Sequence, residues 1–165
     1  MRNTRLVMMA LAVVIAALAL PAAAERKPKG SKRSDPALIH KLYVGTTSTA
    51  QLESGLESEY FAPDGSYQAI SGGETLGIGK WYVTKRGSLC NEAEWYYVRK
   101  GVLKPKRLKT CLHHVTDPYG VVWMQNPILS RGWFPQEFVR SGTYAKGNPN
   151  RKTFERLKAE KGITP

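Results

Sequence analysis

Cysteine is scarce in this chain: two residues, Cys90 and Cys111, in 165. They do not form the Cys-x-x-Cys motif of a redox pair. Two thiols alone are also too few for a structural metal centre. His113 and His114 lie nearby in sequence, but adjacent residues of a strand point to opposite faces, so they cannot join the thiols in one ligand set. Phosphate-binding P-loops, dinucleotide fingerprints and zinc-protease helices are missing as well, and there is no internal repeat. The chain holds three histidines. No serine, cysteine or carboxylate stands at a spacing that would give one of them a catalytic partner. No enzymatic activity, metal or cofactor is therefore expected, and the enzyme alternative reduces to a reaction using His113 or His114.

A second long apolar run is also lacking. The first, Leu6 to Leu20, follows Arg2 and Arg5 and precedes Pro21-Ala22-Ala23-Ala24. Positive residues, a short apolar run and then small residues are the pattern of a secretory signal peptide, here 1–24. The run is short for a bilayer span of about 20 residues, which argues against an uncleaved anchor. Cleavage after Ala24 leaves 141 residues, enough for one domain with its own core. The formal charge of +12 becomes +10 without Arg2 and Arg5. A basic exported protein favours anionic partners: an envelope polymer or a lipid headgroup. Nucleic acid is not expected outside the cytoplasm, and the location implied is periplasmic or secreted.

Residues 25–33, ERKPKGSKR, carry no sizeable apolar side chain and read as a flexible basic tail. The remainder, 34–165, reads as a single β-rich domain. Ser34 or Asp35 can cap a helix that Pro36 opens; Leu38, Ile39, Leu42 and Tyr43 keep helical spacing, and Gly45 ends it. From about residue 57 the period becomes that of strands. Pro63-Asp64-Gly65 turns between Tyr60-Phe61 and Ser66–Ile70. Ser71–Glu74 is a loop, Gly79–Thr84 a strand, Lys85–Gly87 a turn, Ser88–Arg99 a long strand, Lys100-Gly101 a turn. Thr116–Gly120 turns again before Val121–Gln125, and Trp133, Phe134, Phe138 and Val139 supply a last strand or packed loop. A helix over 151–161 places Phe154 and Leu157 on one face. Successive strands joined by turns predict a mainly β fold: an antiparallel meander forming a small barrel or strongly curved sheet, with a short helix at each end.

A two-residue turn at Lys100-Gly101 sets a register in which partner numbers sum to 201. Cys90 then faces Cys111 at a non-hydrogen-bonded site, the closer type of pair, which suits a disulfide. Glu92 faces Lys109 and Glu94 faces Arg107 on the same side, with Val98 against Leu103 near the turn. The other side pairs Leu89 with Leu112 and Ala93 with Leu108. Pro105 falls opposite Tyr96, where its missing amide harms nothing within the pair but prevents pairing beyond it, so an edge or bulge is expected. Lys100, Lys104, Lys106, Arg107 and Lys109 gather positive charge at this hairpin beside Tyr96 and Tyr97, and form the candidate anion-binding group. Trp81, Trp95, Trp123 and Trp133 either line a cavity or fill one.

The run YFAPDGSY, the segment GKWYVTKRGSLC and the later KTCLHH together resemble an uncharacterised family of small exported proteobacterial proteins, domain-of-unknown-function family 995. The matching positions are Leu42-Tyr43, Tyr60-Phe61, Asp64-Gly65, Gly79 to Trp81, Gly87 to Cys90, and Cys111 to His113, within residues 37 to about 125. The resemblance implies an exported β-rich domain and assigns no activity. The meander is also similar to lipocalin-type small barrels, in architecture only. The function expected is a non-enzymatic exported module that binds an anionic envelope component. The alternative is a protein-binding inhibitor or accessory factor acting on an envelope or host enzyme.

Overall fold

The computed structural model describes residues 26–127, 132–137 and 143–163. The segment 1–24, expected to be a signal peptide, Phe138 and Val139 lie outside them. Helix α1 runs Pro36–Tyr43, as expected. Asp35 is the cap: its carboxylate accepts from the Ala37 amide at 2.8 Å. Ser34 is not the cap. It is buried, with its Oγ 2.9 Å from Thr116 Oγ1. Gly45 follows the helix at φ +67°, where glycine carries no Cβ penalty.

The segment 25–33, read above as a flexible tail, is tied down at its end. Lys32–Arg33 form β1, which pairs antiparallel with Thr116 and Val115. Both of its residues are exposed, so no apolar pattern announces it. The Ser34 carbonyl lies so close to Gly87 that a Cβ there would sit 2.2 Å from it. Gly87 also has φ +73°, so this position requires glycine twice over.

The strands that follow are β2 (Thr46–Leu52), β3 (Gly55–Phe61), β4 (Ser66–Ser71), β5 (Thr75–Val83), β6 (Leu89–Arg99), β7 (Val102–Thr116), β8 (Val122–Gln125), β9 (Phe134–Pro135) and β10 (Tyr144–Lys146), and helix α2 spans Arg151–Glu160. Strands β2 to β9 are neighbours in chain order, β10 returns to pair with β2, and every pairing is antiparallel. The meander is thus present, as a curled sheet rather than a closed barrel: among the described residues β9 and β10 end the path and are not hydrogen-bonded to each other. Strand β2 was not anticipated. Its sequence, TTSTAQL, suits a strand by β-branching but lacks the alternating large apolar residues that reveal one.

The central hairpin has the expected register throughout, from Arg99↔Val102 to Leu89↔Leu112. Lys100 and Gly101 both take positive φ, 53° and 72°, the backbone of a type I′ turn. Cys90 and Cys111 are joined by a disulfide with Cα atoms 4.1 Å apart. For a sequence separation of 21 between the bridged positions, chain-entropy reasoning gives about 3 kcal/mol of stabilisation.

The sheet carries a core on each face. On the inner face α1 inserts Ile39 and Tyr43 against Phe61, Tyr67, Trp81 and Leu89, all buried. Trp81 stacks on His40 and packs edge-on to Phe61, and its indole N–H donates to the Ala62 carbonyl at 2.8 Å. Trp95 lies against Gly77, and Trp123 donates to Asp117 Oδ2 at 3.0 Å. Trp81 therefore fills the centre under α1 instead of lining a void. On the outer face Phe154 and Leu157 of α2 cover Ile70 and Leu76. Asn150 anchors the start of α2 by donating to Thr49 Oγ1 and Ser58 Oγ.

Candidate functional sites: a basic hairpin edge and a concave pocket

The five basic residues singled out in the sequence all lie on the projecting β6–β7 hairpin and are exposed. The strand alternation divides them. Arg107 and Lys109 share the outer face with Cys111; Lys104 and Lys106 share the inner face with Leu108; Lys100 occupies the turn. Lys109 is already engaged. Its Nζ lies 3.0 Å from Glu92 Oε1 and 5.4 Å from the Tyr82 ring centroid. Glu92 also accepts the Tyr82 hydroxyl at 2.8 Å and faces Lys80 at 3.8 Å. The Tyr82 hydrogen bond, then Lys109, lower the Glu92 carboxyl to about 2. Glu94, although opposite Arg107, takes the Tyr96 hydroxyl at 2.6 Å instead. Four cations, Lys100, Lys104, Lys106 and Arg107, are thus exposed and without an ion pair among the described residues.

The far side of β7 is open. Strand β8 meets β7 only along His113–Thr116, so residues 102–112 have β6 as their sole neighbour among the described residues. Pro105 sits on this open stretch, the edge its missing amide demands.

The histidines separate as strand geometry requires. His113 is exposed, its Nδ1 3.2 Å from Ser88 Oγ. His114 is buried with Nε2 2.9 Å from the Tyr43 hydroxyl. Burial pushes the His114 imidazole down to about 4, against the opposing pull of the Gly87 and Leu112 backbone. His40 is exposed and stacks on Trp81. No cluster of three or more His, Cys, Asp or Glu side chains suited to a metal occurs among the described residues. Nor is any helix among them long and apolar enough to cross a membrane.

A second feature has no counterpart in the sequence reading. On the inner face, beyond the plug formed by α1, lies a pocket of about 500 Å³. Strand β2 contributes Ser48, Ala50 and Leu52, β3 contributes Glu57 and Glu59, β4 contributes Ser71, and Asn126 closes it from the end of β8. The curl of the sheet brings Asn126 to residues some 70 positions earlier in the chain. The Tyr67 hydroxyl, buried beneath, donates to Glu59 Oε1 at 2.5 Å. Burial raises the Glu59 carboxyl, the Tyr67 hydrogen bond opposes this, and Glu57 adds to the rise. The Tyr67 phenol is raised too, by burial first and by the Glu59 charge second. Glu57 Oε1 is held by the β4–β5 turn, accepting from the Gly72 amide at 2.7 Å and from Ser71 Oγ at 3.2 Å. Neither carboxylate has a cation within ion-pair distance among the described residues. One signal for this site was present in the sequence. If Phe61 faces inward opposite Tyr67, then Glu59 and Glu57 must face inward too, and two carboxylates on a core face call for an explanation.

No curated protein and no solved structure gives a match to this chain. A family does match, over residues 10–148, a longer stretch than the 37 to 125 that carries the recognisable motifs and one that reaches from within the apolar run Leu6 to Leu20 past β10. The chain is a member of this family, described as "Protein of unknown function (DUF995)".

Proposed function

We propose that the protein is an exported, non-enzymatic binding module that holds an anionic component of the cell envelope through the β6–β7 hairpin. One observation carries the reading: Lys100, Lys104, Lys106 and Arg107 lie exposed within eight residues, on both faces of a strand whose outer edge is open. Long cationic side chains on such an arm can reach a polyanion from either side. The disulfide at the hairpin base and the Glu92–Lys109 pair stiffen the arm that presents them. Paired charges add little binding, so Lys109 serves the arm more than the ligand.

Two probes separate the sources of negative charge: vesicles rich in phosphatidylglycerol, and a soluble anionic polysaccharide. Binding to at least one is expected, with affinity falling steeply as salt rises because each neutralised anion releases counterions. The variant Lys104→Glu/Lys106→Glu should weaken binding at least about tenfold and flatten the salt dependence. Binding to neither probe overturns the reading. A partner retained with little sensitivity to salt would favour the inhibitor or accessory-factor alternative instead.

A further inference from the structure

The concave pocket lies on a different part of the molecule from the hairpin arm and has different chemistry. Its volume of about 500 Å³ falls within the range of roughly 300–1,000 Å³ typical of small-molecule sites. Its walls come from both ends of the sheet, and its polar groups are positioned before any ligand arrives: Glu57 by the Gly72 amide and Ser71, Glu59 by the Tyr67 hydroxyl. We propose that the pocket bounded by Ser48, Leu52, Glu57, Glu59, Ser71 and Asn126 binds a neutral, hydroxyl-rich small ligand: a saccharide of one or two rings.

The chemistry of the lining selects this class. An anion would meet two carboxylates. A purely apolar ligand would strip water from those carboxylates and return no hydrogen bonds, a costly exchange. A bare metal ion lacks its ligand set among the described residues. Ligands that donate hydrogen bonds remain, and hydroxyls and ammonium groups both qualify. Two features favour hydroxyls. The chain is strongly basic, at +12 overall, which disfavours the approach of a small cation. The remaining polar lining, Ser48, Ser71 and Asn126, consists of neutral groups able both to donate and to accept, matching hydroxyls that do the same. Carboxylate oxygens accept from hydroxyls in short, charge-assisted bonds, so Glu57 and Glu59 serve as the strong anchors. Ala50 and Leu52 give a sugar ring an apolar wall.

The test is amide NMR of the folded, oxidised chain titrated with chitobiose, maltose and trehalose, with putrescine as the amine control. At least one sugar should shift amides in β2 and β3 and leave the hairpin tip unmoved. Glu57→Gln should weaken that binding at least about tenfold, the effect of losing a charge-assisted hydrogen bond. Ser48→Trp, which fills the pocket from β2 and keeps both carboxylates, should abolish it. Lys104→Glu/Lys106→Glu should leave it unchanged, which keeps this site distinct from the hairpin reading. The proposal is overturned if none of the three sugars shifts these amides at tens of millimolar. It is overturned equally if both pocket variants bind as the native chain does, or if putrescine alone binds there.

Discussion

The Tyr43 hydroxyl is shared by three parts of the chain distant in sequence. It stands 2.9 Å from His114 Nε2 on β7, accepts from Gln136 Nε2 at 2.8 Å just after β9, and donates to Met124 Sδ on β8 at 3.7 Å. Its ring packs edge-on to Phe61 of β3 and Tyr144 of β10. One side chain from α1 therefore touches both ends of the open sheet and holds the curl that hydrogen bonding between β9 and β10 does not. Tyr43→Phe keeps the ring packing but leaves His114 and Gln136 each short of a buried partner. Such losses cost more than the bond itself contributes, because the orphaned groups stay desolvated. The expected destabilisation is about 3 kcal/mol in urea denaturation. Tyr96→Phe, which removes only an exposed bond to Glu94 that water can replace, should cost less than about 1 kcal/mol. Equal effects of the two substitutions would mean that the Tyr43 hydroxyl has no such role. Tyr43 itself is visible in the sequence as a helix-face aromatic. Its hydroxyl network is not, since the partners lie 71 and 93 residues away.

At the level of elements, the open edge of β7 poses a problem common to sheet proteins. Among the described residues, 102–112 present unpaired backbone groups along one side, which is a template for another strand. The side chains guarding it are Lys104, Pro105, Lys106, Arg107 and Lys109, and charge and proline on an edge are the usual defences. These residues thus answer a structural need as well as the proposed anion binding, and the two roles can be separated. Replacing Lys104, Pro105 and Lys106 together with valine should raise the average mass in sedimentation, through edge-to-edge pairing, while the disulfide and the β6–β7 register persist. If the mass stays that of the native chain, these residues are not what protects the edge. This hairpin was also the most legible element in the sequence. A two-residue turn, two cysteines, complementary charges and an apolar second face all specify one register; among the described residues Glu94 and Arg107 stand opposite without an ion pair, and Glu94 accepts the Tyr96 hydroxyl. Helix α1 was legible through Asp35, Pro36 and Gly45. Elements without an alternating pattern of large apolar residues were not: β1 and β10 are two and three residues long, and β2 hides in a Thr- and Ser-rich run. The pocket was hidden for a related reason. Periodicity tells which face a residue takes, but only the curl decides that Asn126 meets Ser48 and Glu57 across a shared cavity.

For the molecule as a whole, buried groups tie stability to pH in a definite direction. His114 titrates at about 4 in the folded chain and near 6.5 when exposed. Between these values the unfolded chain takes up a proton that the folded chain refuses. The contribution of His114 is therefore fully present above about pH 6.5 and is lost as pH falls through about 4, amounting to about 3 kcal/mol. Glu59 acts with the opposite sign. Burial raises its carboxyl, so whatever it contributes is present at low pH and declines as pH rises through its folded value. Glu92, Asp64 and Asp117 are all lowered, by hydrogen bonds from Tyr82, Ser66 and Trp123 respectively, and add losses only in stronger acid. Urea denaturation of the native chain should accordingly show a first step of declining stability between pH 6.5 and 4, separate from a second below it. His113→Gln, at the exposed neighbouring histidine, should retain the first step. His114→Gln should lose it, whatever its stability at neutral pH, because the group that refuses the proton is gone. A first step that survives in His114→Gln would assign the linkage elsewhere and would remove His114 from its place in coupling the seam of the sheet to pH.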